Sequence, residues 1–400
     1  MSLELSKKAQ AVKPSSTLAI TAKAKELRAQ GIDVVGFGAG EPDFNTPEHI
    51  CSAAVKALEE GYTKYTPASG SVELREAISR KFKEFNGLDY KPSQIVVSNG
   101  GKHSLTNVFT AILNPGDEVI IPAPYWLSYP EMVKLADGVP VYVYASEENG
   151  FKATAQEIAQ AVTPKTKALV LNSPSNPTGM IYTRQELQAI ANLAVEKDFY
   201  VVADEMYEYL TYDGEEHVSI ASLGDEIYRR TITCSGLSKG YAMTGWRIGY
   251  TGSTEEIAKL MGAVQSHQTS NINSIAQKAA IEALNGPQES VGEMRDEFNK
   301  RRTYMVKRLS EMKELSVREP KGAFYVFVNT EGALEKKYKG EKVGDTTRLA
   351  EILINDYHVA VVPCQDFGFP TYIRLSYAIS MEQIEKGLDW IGSFLSALEA

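Results

Sequence analysis

The chain has 400 residues, 43% of them hydrophobic and 23% charged, a length and composition that point to two ordinary globular domains and exclude a disulfide mini-protein or a disordered tail. With 42 basic against 51 acidic side chains the net charge is −9, so no general field attracts a phosphate backbone or an anionic membrane, and neither nucleic acid nor membrane is an expected partner. Three scattered cysteines, Cys51, Cys234 and Cys364, build neither a disulfide framework nor a C-x-x-C pair, and Met1 to Lys8 lacks a signal peptide's apolar stretch; a cytoplasmic setting is expected.

In chain order, Ser15 to Gly31 reads as a helix with Ile20, Ala24 and Leu27 on one face and a glycine stop. A strand at Ile95-Val96-Val97 runs through Gly100-Gly101-Lys102 into a helix with Leu105, Val108 and Ile112 inward, and Glu118 to Ile121 is the next strand. Ala168 to Leu171 and Phe199 to Ala203 are continuous apolar runs, as strands covered on both faces of a parallel sheet require, and Thr183-Arg184-Gln185-Glu186 caps the helix between them. Thr231 to Cys234 and Arg247 to Tyr250 continue this series of an α/β fold. From about residue 296 a basic helix precedes strands at Ala323 to Val328, Val359 to Val362 and Tyr372 to Ser376, and Ser380 opens a final amphipathic helix. This tail is an α+β unit that the first helix should join.

Ligands of a parallel sheet gather beyond the carboxyl ends of its strands, and five such places carry unusual residues. Ser98-Asn99-Gly100-Gly101-Lys102 offers free backbone N–H groups to an anion, or is a plain turn. Asn172 to Gly179, stiffened by Pro174 and Pro177, either holds the Asn176 amide at a fixed point or is a rigid turn. Asp204, with Tyr207 three residues on, is a helix cap or a buried anion in need of a cation. Lys239 lies among Gly, Ser and aromatic residues, where desolvation can make it a neutral nucleophile, and Arg247 follows eight positions later. Arg374 interrupts an apolar strand, as a surface ion pair or as a bidentate carboxylate clamp.

The string from Gly236 to Gly249, with Asn176-Pro177-Thr178-Gly179, Asp204-x-x-Tyr207 and Arg374, resembles the class I, fold-type I pyridoxal phosphate aminotransferases, and among them the bacterial aspartate aminotransferases of subgroup Ib. The resemblance implies a mostly parallel seven-stranded sheet flanked by helices in a large domain, 47–290, and a smaller α+β domain formed by 1–46 and 291–400. It also implies that Lys239 forms a Schiff base with pyridoxal 5'-phosphate and moves the substrate's α proton, that Asp204 keeps the ring nitrogen protonated, and that Tyr207 and Asn176 bond the phenolic oxygen. Trp126 would stack on the ring. Backbone N–H groups of Gly101 and Lys102, Arg247, and Tyr65 from a neighbouring subunit would hold the phosphate, which makes a homodimer with shared sites the expected assembly. Arg374, with Asn176 and the backbone of Gly40, would clamp the substrate α-carboxylate, while Lys102, Ser15 and Thr17 would take a distal carboxylate. In such relatives a serine can precede the lysine by three residues as a phosphate ligand. Here that position is Gly236, so Ser238 is the expected substitute.

The implied reaction passes the amino group of L-aspartate reversibly to 2-oxoglutarate, with a prephenate, a bifunctional aspartate/prephenate or a broader-specificity aminotransferase as the alternative. A β-lyase or a synthase of cyclic amino acids would keep the cofactor and break another bond, and a cofactor-binding regulator would need a DNA-binding domain that 46 residues before the sheet do not provide. Ser310-Glu311-Met312-Lys313 matches S-x-x-K without a K-T-G partner, and Gly36 to Gly40 lacks dinucleotide spacing, so neither a serine hydrolase nor a dinucleotide site is expected.

Overall fold

The structure is a computed structural model that describes residues 3–14 and 16–399. After a two-residue strand, β1 (Val35–Gly36), the apolar runs become β2 (Ile95–Asn99), β3 (Glu118–Ala123), β4 (Val139–Tyr144), β5 (Thr166–Asn172), β6 (Tyr200–Asp204), β7 (Thr231–Gly236) and β8 (Ile248–Gly252). Strands β2 to β8 form one seven-stranded sheet in the order β2-β8-β7-β6-β5-β3-β4. Only β8 runs against its neighbours. A crossover to a parallel strand takes a dozen or more residues and usually a helix, whereas the link from β7 to β8 is a loop with one short 3-10 turn, so the chain doubles back. That reversal has a consequence for chemistry: Lys239, just after β7, and Arg247, just before β8, lie at the same end of the sheet.

Strand β4 is absent from the residue-by-residue reading because Pro140 interrupts Val139 to Tyr144. The structure puts it at the sheet edge, paired with β3 alone, which is where a strand tolerates proline. Helices cover both faces. Thr183 and Glu186 close the expected capping box ahead of the helix Arg184–Lys197.

The later strands make a four-stranded antiparallel sheet in the order Val362–Pro363, Tyr372–Ser376, Tyr325–Asn329, Ser316–Val317, covered by the helices Glu289–Ser310 and Met381–Ser396. β1 pairs in parallel with Val359–Ala360. The helix Ser16–Ala29 leans on the same region, Ala24 packing with Val34, Ile354 and Ala360.

Candidate active site

A cavity of about 550 Å³ opens at the carboxyl ends of β2, β5, β6 and β7, roofed by the helix Ser16–Ala29 and by the strand Tyr372–Ser376. Its floor is cut by glycine. Gly100 sits at φ +87°, a conformation that side chains avoid, and a Cβ there would strike the Arg247 guanidinium. Likewise a Cβ at Gly249 would run into the backbone of Gly100 and Gly101. The helix Gly101–Ile112 therefore starts pressed against β8 with no side-chain cap, leaving its first N–H groups and the Arg247 charge side by side. Lys102 projects from the same turn with its Nζ 5.0 Å from the Trp126 ring centroid. Partial burial, followed by the neighbouring Arg247 charge, lowers its pKa.

On the β6 side, buried Asp204 accepts a hydrogen bond from Tyr129 Oη at 2.6 Å and one from the Met206 N–H at 3.1 Å. Burial pushes its pKa up, and these two bonds hold it back. Across from it, Lys239 Nζ donates to the Gly40 carbonyl and lies 6.0 Å from the Tyr207 ring centroid. Burial pulls the ammonium down to about 8; Glu41 opposes that, and the Arg374 and Arg247 charges reinforce it. Tyr207 Oη lies 2.9 Å from Tyr325 Oη.

Asn176 owes its place to Asn172, which accepts from the Asn176 N–H at 2.8 Å and donates from Nδ2 to the Asp204 carbonyl at 2.9 Å, tying the loop to the end of β6. Gly179 closes this loop at φ +68°, where a Cβ would fall 2.7 Å from the Gly322 carbonyl. Arg374 then donates to Asn176 Oδ1 at 2.9 Å and to the Gly38 carbonyl at 3.3 Å, under the Tyr325 ring at 4.2 Å. Only 2% of Arg374 is exposed, its Nε has no hydrogen-bond partner, and no carboxylate among the described residues forms an ion pair with it. A buried guanidinium in that condition asks for an anion.

Of the residues expected at the site, all but two line this one cavity. Ser15 lies outside the described residues. Tyr65 is 91% exposed, away from its own chain's cavity. Thr17 lines the roof, its Oγ1 buried and without a hydrogen-bond partner among the described residues. Gly236 is held inside β7, where a Cβ would approach the Ile248 carbonyl to 2.7 Å, so the strand itself excludes a serine there, while Ser238 lines the cavity. Gly40 meets Lys239, and the glycine that touches Arg374 is Gly38.

Tyr129, Met206 and Tyr325 line the cavity without having been singled out. Aromatic side chains in helices and strands read as core. Tyr129 follows Trp126 by three residues, across a turn in which its N–H returns to the Trp126 carbonyl at 3.0 Å, and that spacing was the available signal.

The family model described as aminotransferase class I and II matches residues 32–391. An aspartate aminotransferase of Bacillus subtilis is 50% identical over 393 residues, covering 98% of this chain and 99% of its own. An aspartate/prephenate aminotransferase of Cereibacter sphaeroides is 47% identical and covers 97% of each chain. Among solved structures, the aspartate aminotransferase of Thermus thermophilus with maleate is 46% identical and superimposes with a TM-score of 0.93, over 98% of this chain and 100% of that one.

Proposed function

Because this chain belongs to the class I and II aminotransferases, whose aspartate-specific members use pyridoxal 5'-phosphate, we propose that it transfers the amino group of L-aspartate reversibly to 2-oxoglutarate, giving oxaloacetate and L-glutamate. The observation that carries this reading is a charge mismatch within one cavity. Lys239 and Arg374 are cations with no carboxylate partner among the described residues, and Asp204 is a buried carboxyl with no cation.

The cofactor fits that mismatch group by group. Its phosphate suits the uncapped N–H groups of Gly101 and Lys102 with Arg247, its ring nitrogen suits Asp204, its phenolic oxygen suits Tyr207 and Asn176, and its ring face suits Trp126. Lys239 is the covalent tether. When bound, the cofactor supplies an electron sink that makes an amino acid's α C–H bond acidic.

The chain's own residues do the rest. Asp204, fixed by Tyr129 and the Met206 N–H, keeps a proton at the ring nitrogen. Lys239, held to about 8 by burial, is a base near the working pH and carries the proton from the substrate's α carbon. Arg374 takes the α-carboxylate on its planar fork and so sets which α bond faces the ring. Lys102 and Thr17, both lining the cavity, suit a second carboxylate, and the helix Ser16–Ala29 above them excludes water. The same pair suits prephenate, and the relative named for both substrates supports a dual activity as the second reading.

In this reading the chain works as a homodimer: Tyr65, exposed on its own chain, reaches the phosphate of a second copy. It is also divided into a large domain, 47–290, and a small one, 1–46 with 291–400, in a cytoplasmic protein. Single-turnover absorbance with aspartate, glutamate, alanine, phenylalanine and prephenate tests the proposal. Among the amino donors aspartate should respond fastest, and 2-oxoglutarate added afterwards should take up the amino group and restore the starting absorbance. An equal response to alanine would remove Lys102 as the distal-carboxylate residue, and no transfer from aspartate would overturn the assignment.

A further inference from the structure

Past the end of β6 the chain reads Asp204-Glu205-Met206-Tyr207-Glu208, and the turn sorts these side chains onto two sides. The Glu208 N–H returns to the Glu205 carbonyl at 3.0 Å, and the Glu205 N–H ties the turn to the Cys234 carbonyl of β7 at 2.8 Å. Asp204 and Tyr207 line the cavity. Glu205 and Glu208 do not; they are 3% and 1% exposed behind it.

That rear face is built as carefully as the front. Lys81, from the helix Val72–Asn86, places Nζ 2.5 Å from Glu208 Oε1 and donates to Asn86 Oδ1 at 2.9 Å. Its ammonium lies within 6 Å of four ring centroids, those of Phe82, Phe85, Tyr209 and Tyr250. Ser235 of β7 donates to Glu208 as well. Glu205 Oε2 accepts from Ser219 Oγ at 2.5 Å and from Asn86 Nδ2 at 3.2 Å, and His217 Nε2 lies 3.0 Å from it. Two carboxylates thus face two cations. Burial alone would raise Glu208 and lower His217, but Lys81 reverses the first and Glu205 the second, so both groups are shifted toward their charged forms.

Stability does not explain such an arrangement, because desolvating four charges costs about as much as their attraction returns, and apolar replacements of buried ion pairs are often neutral or stabilising. Direction does explain it. Each contact on Glu205 and Glu208 fixes the same short turn, and the only other side chains that turn presents to the cavity are Asp204, Met206 and Tyr207. We propose that Lys81, Glu205, Glu208 and His217 are positioning residues, an ionic clamp that aims Asp204 and Tyr207 at the cofactor from behind the sheet. This inference rests on the aminotransferase reading and adds to it residues that never touch substrate or cofactor.

Glu208→Gln tests it, with pyridoxal 5'-phosphate as the probe. The dissociation constant, measured by equilibrium dialysis of the apoprotein, is expected to rise on the order of tenfold, and the pH midpoint of the bound cofactor's visible absorbance is expected to rise as Tyr207 loses its aim. In the double variant Lys81→Met/Glu208→Gln, which leaves no unpaired charge at this pair, the thermal midpoint should recover while both shifts persist. Should Glu208→Gln not fold, Ser235→Ala removes one bond to Glu208 and no charge, and should move both readings the same way by less. Unchanged affinity and midpoint beside a lowered thermal midpoint, or full recovery of affinity in the double variant, would reduce the clamp to a packing feature and overturn the proposal. A wild-type chain that takes up no pyridoxal 5'-phosphate would instead sink the aminotransferase reading itself.

Discussion

Two arginines of this chain are almost equally buried and oppositely treated. Arg302, 1% exposed by side chain, donates Nη2 to both oxygens of Asp213 at 2.8 Å, Nη1 to Glu319 and the Pro320 carbonyl, and Nε to Asn299. Arg374 has two neutral acceptors and an orphaned Nε. Two lysines repeat the contrast: Lys81 is locked to Glu208, whereas Lys239 has only a glycine carbonyl. The first member of each pair is finished by its own chain. The second waits for something that arrives from solution, and a fold accepts that cost in desolvation only where binding or chemistry returns it.

The largest break in this contrast comes from Lys239→Ala. Without the tether and base, transamination should fall by about 10⁴-fold or more, measured as oxaloacetate formed from aspartate and 2-oxoglutarate. Borohydride reduction of the wild-type holoenzyme should label Lys239 and leave Lys81 unmodified, because Lys81 is neither free nor facing the cavity. Label on Lys81 would erase the distinction between the two lysines.

The arginines should part in a different manner. Arg374→Ala removes the α-carboxylate clamp, and kcat/KM for aspartate should drop by about 10³-fold with the thermal midpoint little changed, since no ion pair is broken. Arg302→Ala strands Asp213 and Glu319 and should cost about 3 kcal/mol of stability while the folded fraction keeps most of its activity. If both variants lost stability alone, the orphaned Nε of Arg374 would have no functional meaning.

Much of this was legible from the residues. The strand ends could be placed because parallel strands buried on both faces are unbroken apolar runs, and Lys239 and Arg374 stood out as cations inside such surroundings. Edge strand β4 was not, because Pro140 gives the same signal there as in a loop. Lys81, Glu205 and Glu208 were invisible for a related reason: a charged residue in sequence reads as surface, and only the fold reveals that a helix and the turn after β6 bring these charges together out of water. Tyr65 shows the limit from the other side, since its proposed partner is a second copy of the chain.

Lys102 sharpens the comparison by intermediate degree, since it is exposed enough to be solvated yet has its pKa lowered by burial and Arg247. Lys102→Ala should raise KM for aspartate about tenfold and leave alanine turnover unchanged, because only the dicarboxylic substrate has an oxygen to offer it. Equal losses for both substrates would assign Lys102 to the cofactor phosphate alone.

The smallest effect concerns pH. A solvated lysine is protonated until about 10.5, but burial holds Lys239 to about 8. Only the neutral amine attacks an aldehyde, so the rate at which the apoprotein takes up pyridoxal 5'-phosphate should climb through pH 8 and level off above it. Between about 8 and 10.5 the unfolded chain binds the proton that the folded one has released, so this residue's contribution to apoprotein stability grows with pH across that window. Glu41 is the one nearby charge that raises the Lys239 pKa more than Asp204 does. Glu41→Gln should therefore move the uptake midpoint below 8 by a fraction of a unit, and a midpoint that instead rises toward 10.5 would mean that solvent, and not the cavity, sets the protonation of Lys239.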